Sequence, residues 1–123
     1  MKKKNIVIFE KYDGVRFVLE RSLEKYKGNL NIYSSHWKSE IKNHIEHKKV
    51  DLLITELSKY NPDGLEISRF AREISPDLQI FWITVLGCDV FREQIETLGN
   101  IRCIEKPLEI QKLRNKVLQA LDS

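Results

Sequence analysis

The sequence has few of the residues that build crosslinked or phosphate-binding frameworks. Its 123 residues include two cysteines, three prolines and five glycines. Cys88 and Cys103 lie too far apart for a CxxC motif, and a single pair makes no disulfide framework. Free thiols in a reducing compartment are therefore expected. The glycines are scattered along the chain, which excludes a glycine-rich phosphate-binding loop.

Long hydrophobic runs and a strong charge bias are also lacking. No apolar run approaches the ~20 residues that a membrane span requires. The apolar run at residues 6–9 is followed at once by Glu10 and Lys11, which is untypical of a signal peptide. The net charge of +3, part of it in the lysines at 2–4, is small for a nucleic-acid-binding protein. We expect a cytoplasmic protein whose partners include neither nucleic acid nor a membrane.

The composition suits one soluble globular domain over residues 1–123. Hydrophobic residues make up 41% of the chain and charged residues 32%. A chain of this length buries about two-thirds of the surface that its unfolded form exposes, so it needs no disulfide or metal to fold. No linker, repeat or low-complexity tract divides it.

Two hydrophobic periods alternate along the chain. Apolar runs of strand length occur at residues 6–9, 50–54 and 78–83, and weaker ones at 30–33 and 101–104. Stretches of helical period separate them, and in the first of these Asp13 is placed to cap the helix and Gly28 to end it. This alternation predicts a flavodoxin-like α/β fold, a doubly wound (βα)5 with a five-stranded parallel sheet in the order 2-1-3-4-5. The first, third and fourth strands should be interior because their apolar runs are continuous. The aromatic residues Phe81 and Trp82 of the fourth strand are assigned to the core.

Polar residues follow four of the predicted strands. In an open parallel sheet, ligands bind beyond the carboxyl ends of the strands, where the strand order reverses. The first strand is followed by Glu10 and Lys11, the third by Glu56, the fourth by Thr84 and the fifth by residues 105–107. Carboxylates, two ammonium groups and a hydroxyl are therefore expected to converge there.

The same positions carry a resemblance to a known family. Residues 51–57, followed by the sequence DGLE at 63–66, have the spacing of the third strand and its loop in the receiver domains of bacterial response regulators. Thr84 lies at the family's conserved hydroxyl. Lys106-Pro107 lies at its conserved lysine-proline, often a cis peptide, and Arg16 at the usual distance after the acidic pair. The chain resembles a CheY-like receiver domain along its entire length.

The resemblance implies a chemistry that two substitutions disturb. Receivers hold Mg²⁺ with two acids after the first strand and an aspartate after the third, and that aspartate accepts a phosphoryl group from a histidine kinase. Here Glu10 keeps the first acid, but the second is Lys11, which has no acceptor atom for Mg²⁺. The acceptor position is Glu56, whose carboxylate reaches about 1.5 Å further than that of an aspartate. Mg²⁺ binding should be weak or absent, and conventional phosphorylation at Glu56 is not expected.

A metal-free salt-bridge cluster is the arrangement that we predict instead. Lys11 and Lys106 would supply positive charge in place of the metal, with Glu56 paired to Lys106 and Glu10 beside them. In the alternative, Lys11 points into solvent. A further hypothesis makes Glu56 a permanent partial mimic of the phosphorylated state.

The resemblance also locates a switch and an output face. The family carries a switch aromatic three residues before the lysine, and here that residue is Cys103, so its usual coupling to Thr84 should not operate. Cys103 is expected to be a small buried thiol, with a redox sensor as the alternative. The fourth helix, fifth strand and fifth helix usually form the output face, which here carries Arg92, Arg102, Glu105, Lys112 and Lys116.

Three functions are compatible with these features. The leading hypothesis is a bacterial response regulator receiver of two-component, or phosphorelay, signal transduction that acts as a phosphorylation-independent protein-interaction module and is not an enzyme. Its partner would be a histidine kinase, another response regulator or an effector domain, with a homodimer through the output face as an alternative. The second hypothesis is a working phosphoacceptor that uses Glu56 or another residue. The third is a small flavodoxin-fold nucleotide-binding enzyme. No catalytic residue, metal ligand or cofactor is assigned.

Overall fold

Strands and helices alternate along the chain in the computed structural model. The structure describes residues 3–26 and 28–122. Met1 and Lys2 of the basic start therefore lie outside the described residues. The strands are β1 (Lys4–Phe9), β2 (Leu30–Ser35), β3 (Leu52–Glu56), β4 (Gln79–Thr84) and β5 (Ile101–Glu105). The helices are α1 (Asp13–Leu23), α2 (Lys38–His47), α3 (Asp63–Ile74), α4 (Arg92–Leu98) and α5 (Ile110–Asp122). Short 3-10 turns, Glu24–Tyr26 and Cys88–Phe91, follow α1 and precede α4. None of the described helices has the length and apolar character needed to cross a membrane.

The five strands form one parallel sheet in the order β2-β1-β3-β4-β5. This confirms the predicted α/β fold and its strand order. Strands β1, β3 and β4 are interior and almost entirely buried, whereas β2 and β5 form the edges and are partly exposed. Continuous apolar runs belong to interior strands because helices cover both faces of a parallel sheet.

The sheet separates two apolar layers. On one side, Val7, Leu53 and Trp82 pack with buried residues of α2 and α3. On the other side, buried residues that include Phe81 pack with those of α1 and α5. Successive residues of a strand point to opposite faces, so the neighbours Phe81 and Trp82 enter different layers. Both aromatic side chains are buried, as predicted.

Helix α3 approaches the end of β3 very closely. Gly64, in the first turn of α3, is buried, and a Cβ atom there would lie 2.1 Å from the carbonyl oxygen of Glu56. The hydroxyl of Ser68 donates to the Gly64 carbonyl at 2.8 Å and accepts from Trp82 Nε1 at 2.9 Å. This chain of hydrogen bonds docks α3 on β4, and the missing side chain of Gly64 sets the distance between α3 and Glu56.

The ends of α1 differ from those predicted. Asp13 is the first helical residue rather than a cap, and its carboxylate pairs with Arg16 at 2.6 Å. The helix ends at Leu23 and continues as a 3-10 turn to Tyr26, ahead of Gly28. An acid in the first turn also favours a helix start through the helix dipole. The sequence pattern therefore marks the right region, but the contact that the aspartate makes is a different one.

The prediction that both cysteines are free thiols is wrong. Cys88, the first residue of the 3-10 turn before α4, and Cys103, in the middle of β5, form a disulfide with their Cα atoms 5.9 Å apart. Both residues are partly exposed, so Cys103 is not a buried thiol either. The chain leaves β4, forms α4 and returns beside β4 as β5, and this crossover brings together two residues 15 apart in sequence.

We expect Gly64→Ala to lower the free energy of unfolding by about 1–3 kcal/mol, because the new methyl group would overlap the Glu56 carbonyl. Gly14→Ala is the matched control, since Gly14 also follows an aspartate in the first turn of its helix and nothing lies within 4 Å of its Cβ position. That variant should be stabilised by up to about 1 kcal/mol. Urea unfolding of both variants measures these effects, and an unchanged midpoint for Gly64→Ala would contradict the close approach.

Candidate functional site

Three charged side chains meet at the carboxyl edge of the sheet. Glu10 follows β1, Glu56 ends β3 and Lys106 follows β5. Parallel strands end at the same edge of a sheet, so these residues come together although Glu10 and Lys106 are 96 positions apart. Glu10 is only 1% exposed and Glu56 9%. The structure thus brings together three of the groups that the strand ends predict.

Lys106 pairs with Glu10 and not with Glu56, so the predicted Glu56–Lys106 pair is wrong. The Nζ atom of Lys106 lies 2.6 Å from Glu10 Oε1, and the lysine side chain is 12% exposed. Glu56 instead accepts a hydrogen bond from the backbone N–H of Lys11 at 3.2 Å. That bond turns the Glu56 carboxyl toward the loop after β1 and leaves the ammonium group to Glu10.

Lys11 contributes its backbone to this cluster. The residue is exposed, in agreement with the alternative in which its side chain points into solvent. An exposed ammonium group is hydrated by bulk water and does little to neutralise a buried carboxylate. The positive charge at the site is therefore that of Lys106.

The carboxyl of Glu56 is a neighbour that acts on the pKa of Glu10. Glu10 Oε2 is buried and has no hydrogen-bond donor among the described residues. Burial and then the neighbouring Glu56 carboxyl raise the pKa of Glu10 from 4.5 to about 7, while Lys106 opposes the rise. A proton on Glu10 Oε2 would give that atom a hydrogen bond to donate to Glu56. The carboxyl of Glu10 therefore titrates near neutral pH.

Backbone and ring contacts hold Lys106 in place. Its N–H donates to the carbonyl of Thr84 at 2.7 Å, and its peptide bond to Pro107 is cis, as the resemblance implies. The Nζ atom lies 5.2 Å from the centroid of the Tyr12 ring, a contact that attracts a cation. Sequence reasoning missed Tyr12. Its place directly after the Glu10-Lys11 pair is the signal that could have found it.

Thr84, Arg16 and Glu105 shape the surroundings of the cluster. Thr84 is buried, and its hydroxyl accepts the N–H of Leu86 at 3.0 Å. Arg16 donates to the Glu10 carbonyl at 3.0 Å and thereby ties α1 to the end of β1. Glu105 does not join the cluster, because its Oε1 accepts the N–H of Cys88 at 3.0 Å.

The predicted output-face residues lie along α4, β5 and α5 or beside them. Lys116 is partly exposed, and the other four are exposed, namely Arg92, Arg102, Glu105 and Lys112. Two form local ion pairs, Arg92 with Asp89 at 3.3 Å and Lys112 with Glu109 at 3.1 Å. Exposed pairs of this kind contribute little to stability.

The raised pKa of Glu10 predicts a pH dependence of stability. A carboxyl whose folded pKa exceeds its unfolded pKa adds stability that is complete below pH 4.5 and is lost as the pH rises to about 7. The free energy of unfolding should fall by about 1–3 kcal/mol across this window. Glu10→Gln should remove this component, since an amide accepts from Lys106 and donates to Glu56 at any pH.

Urea titrations at several pH values measure the effect as the difference between wild type and Glu10→Gln. Glu73→Gln, at an exposed position of α3, is the control and should keep the wild-type dependence. Parallel curves for wild type and Glu10→Gln would show that Glu10 does not titrate in this window.

Lys106→Met should be most costly where Glu10 is ionised. Loss of the ammonium leaves a buried carboxylate without its cation, which typically costs on the order of 3 kcal/mol. The loss should shrink toward pH 4.5, where Glu10 is protonated. Adding Glu10→Gln to Lys106→Met should restore most of the stability, and thermal unfolding of the four proteins completes the cycle. Additive effects of the two substitutions would contradict the ion pair.

Comparisons with known proteins agree with this fold. No protein-family model matches the chain. It is 25% identical over 118 residues to the response regulator receiver protein CpdR of Brucella abortus, covering 96% of this chain and 97% of that protein. It is 29% identical over 112 residues to the cyclic di-GMP phosphodiesterase response regulator RpfG of Xanthomonas campestris, covering 89% of this chain but only 30% of RpfG.

A solved structure extends the likeness to three dimensions. The CheY-like response regulator receiver domain protein of Methanospirillum hungatei superimposes with a TM-score of 0.85 at 19% identity, covering 98% of this chain and 95% of that one. Similarity in sequence over nearly the whole chain, together with the shared fold, supports a CheY-like response regulator receiver domain of two-component signalling.

Proposed function

We propose that this receiver domain signals by binding another protein and does not take up a phosphoryl group. The observation that carries the proposal is the buried ion pair of Lys106 and Glu10, at 2.6 Å. By the family resemblance, a lysine at this position meets the phosphoryl group. In this chain a carboxylate of the protein itself already neutralises it.

The donors at the site argue against a bound Mg²⁺. This ion prefers octahedral oxygen coordination and often takes two carboxylates together with substrate phosphate. Glu10 Oε1 is engaged by Lys106, and Lys11 stands where the second acid would be. Among the described residues, no three His, Cys, Asp or Glu side chains are grouped to hold a metal. Weak or absent Mg²⁺ binding is therefore part of the proposal.

Glu56 is poorly set up as a phosphoacceptor. The residue is 9% exposed, and its carboxyl accepts the Lys11 N–H. Attack on a phosphodonor needs an accessible oxygen and nearby positive charge for the charge that builds on the transferring group. The ammonium group that could supply that charge is paired with Glu10. We assign Glu56 to the internal cluster rather than to a mimic of the phosphorylated state, because a mimic would engage Lys106.

The proposed partner is a histidine kinase, another response regulator or an effector domain, met in the cytoplasm, and the chain itself is proposed not to be an enzyme. Its contact surface would be the exposed face of α4, β5 and α5, which carries Arg92, Arg102 and Lys112. Charged residues typical of an interface rim favour a modest, salt-sensitive contact. The name of RpfG includes an enzyme activity, but this chain spans only 30% of that protein.

Intact-mass measurement after incubation with a small phosphodonor and Mg²⁺ tests the proposal. The wild-type chain should not change in mass. The variant Lys11→Asp/Glu56→Asp restores the family's acids and should gain about 80 Da. That gain would show that Lys11 and Glu56 are the residues that prevent phosphorylation of the wild-type chain. A gain of this size by the wild type would overturn the proposal, and Glu56→Gln would then show whether Glu56 is the acceptor.

A further inference from the structure

The disulfide of Cys88 and Cys103 joins an irregular segment to the sheet. Cys88 begins the 3-10 turn that leads into α4, and Cys103 lies in the middle of the edge strand β5, opposite Trp82 of β4. The crosslink therefore holds the start of the 88–98 segment against the edge of the sheet. The disulfide takes no part in the ion pair or the titration of Glu10, so the inference drawn from it does not depend on the proposed function.

Both sulfur-bearing residues can be reached from solvent. Cys88 and Cys103 are partly exposed and line a surface cavity of about 450 Å³ between the 3-10 turn, β5 and α5. Lys112 and Lys116 stand on the α5 wall of this cavity. Glu105 and Glu109 line the cavity as well, and Glu109 pairs with Lys112 at 3.1 Å. A thiolate is the species that attacks and leaves in thiol–disulfide exchange. The cavity thus offers an entry for a thiol reagent in the folded protein.

Apolar contacts also hold the segment that the disulfide anchors, because Phe91 belongs to the buried core and Ile95 and Leu98 pack against it. None of the residues of α4, all of which the structure describes, is fully buried. Just before α4, Phe91 packs edge-on against Trp82 with ring centroids 6.0 Å apart. The N–H of Cys88 donates to Glu105 at an exposed position. Segments with few buried residues open at low free energy, so the crosslink adds to these contacts in keeping the segment closed.

We infer that Cys88–Cys103 is a redox-active modification site that reacts with a dithiol reductant, and that its reduction releases the 88–98 segment from β5. A thiolate of the reductant attacks one sulfur and forms a mixed disulfide, while the other cysteine leaves as a thiolate and takes up a proton. The second thiol of the reductant then attacks the mixed disulfide, and the remaining cysteine leaves and is protonated. Two electrons and two protons pass to the protein, and the reductant becomes a disulfide.

A disulfide that forms in a reducing compartment is usually transient, catalytic or redox-sensing rather than structural. Reversal needs a disulfide oxidant such as glutathione disulfide, which exchanges with the two thiols in the opposite direction. The modification changes no charge at the carboxyl pair. Its consequence is mechanical, because it ties or frees α4 at the edge of the sheet.

Hydrogen exchange of the full chain, purified without reductant and then treated with dithiothreitol, tests the inference. Alkylation before treatment should label no cysteine, and alkylation afterwards should label both, with an unchanged far-ultraviolet circular dichroism spectrum. Amide exchange in residues 88–98 should become faster by roughly tenfold to a hundredfold, the range allowed by loss of a crosslink that closes a loop of this length. Exchange in β1 and β3 should stay the same.

Two sets of variants complete the test. Cys88→Ser/Cys103→Ser should show the fast exchange of residues 88–98 with and without dithiothreitol. Each single variant should form a mixed disulfide with glutathione disulfide in the folded state, which checks access to each sulfur separately. The inference is overturned if the untreated protein has alkylatable thiols, if reduction requires denaturant, or if reduction leaves the exchange of residues 88–98 unchanged.

Discussion

The ammonium of Lys106 and the carboxylate of Glu10 face each other at 2.6 Å where little water reaches. Removing two charges from water costs several kcal/mol per ion, and only close pairing with further hydrogen bonds offsets this cost. The second carboxyl, Glu56, adds a charge that the single ammonium cannot fully neutralise. Burial and this neighbour together raise the pKa of Glu10 to about 7, so the pocket resolves its excess of negative charge by holding a proton.

The surrounding contacts follow from the position of that pair. Strand β5 must bring Lys106 to the sheet edge, and the Lys106 N–H reaches the Thr84 carbonyl of β4. Arg16 binds the Glu10 carbonyl, and the Lys11 N–H binds Glu56, so the loop after β1 closes over the pocket. These contacts satisfy the charged groups of the site except for Glu10 Oε2, which has no donor among the described residues. The cation that pairs with a carboxylate there is the ammonium of Lys106.

Strand β5 also connects this pocket to the segment that contains α4. Cys103 precedes Lys106 by three positions, and its disulfide to Cys88 secures the segment that contains α4. Glu105, between them, binds the Cys88 N–H instead of the pocket. An edge strand lacks a neighbour on one side, and here the side chains of β5 and the loop that follows it supply attachments to both β1 and α4.

The alternation of apolar strands with helical periods predicts the fold because it has one common solution, and continuous apolar runs identify the interior strands β1, β3 and β4. The sequence also predicts which residues reach the sheet edge, since Glu10, Glu56 and Lys106 directly end or follow strands. The sequence does not show that Lys106 pairs with Glu10 rather than with Glu56. Both glutamates stand at the ends of strands, and the choice between them depends on the direction of the side chains in the folded chain. The pairing of Cys88 with Cys103 likewise exists only after the chain has crossed from β4 through α4 to β5.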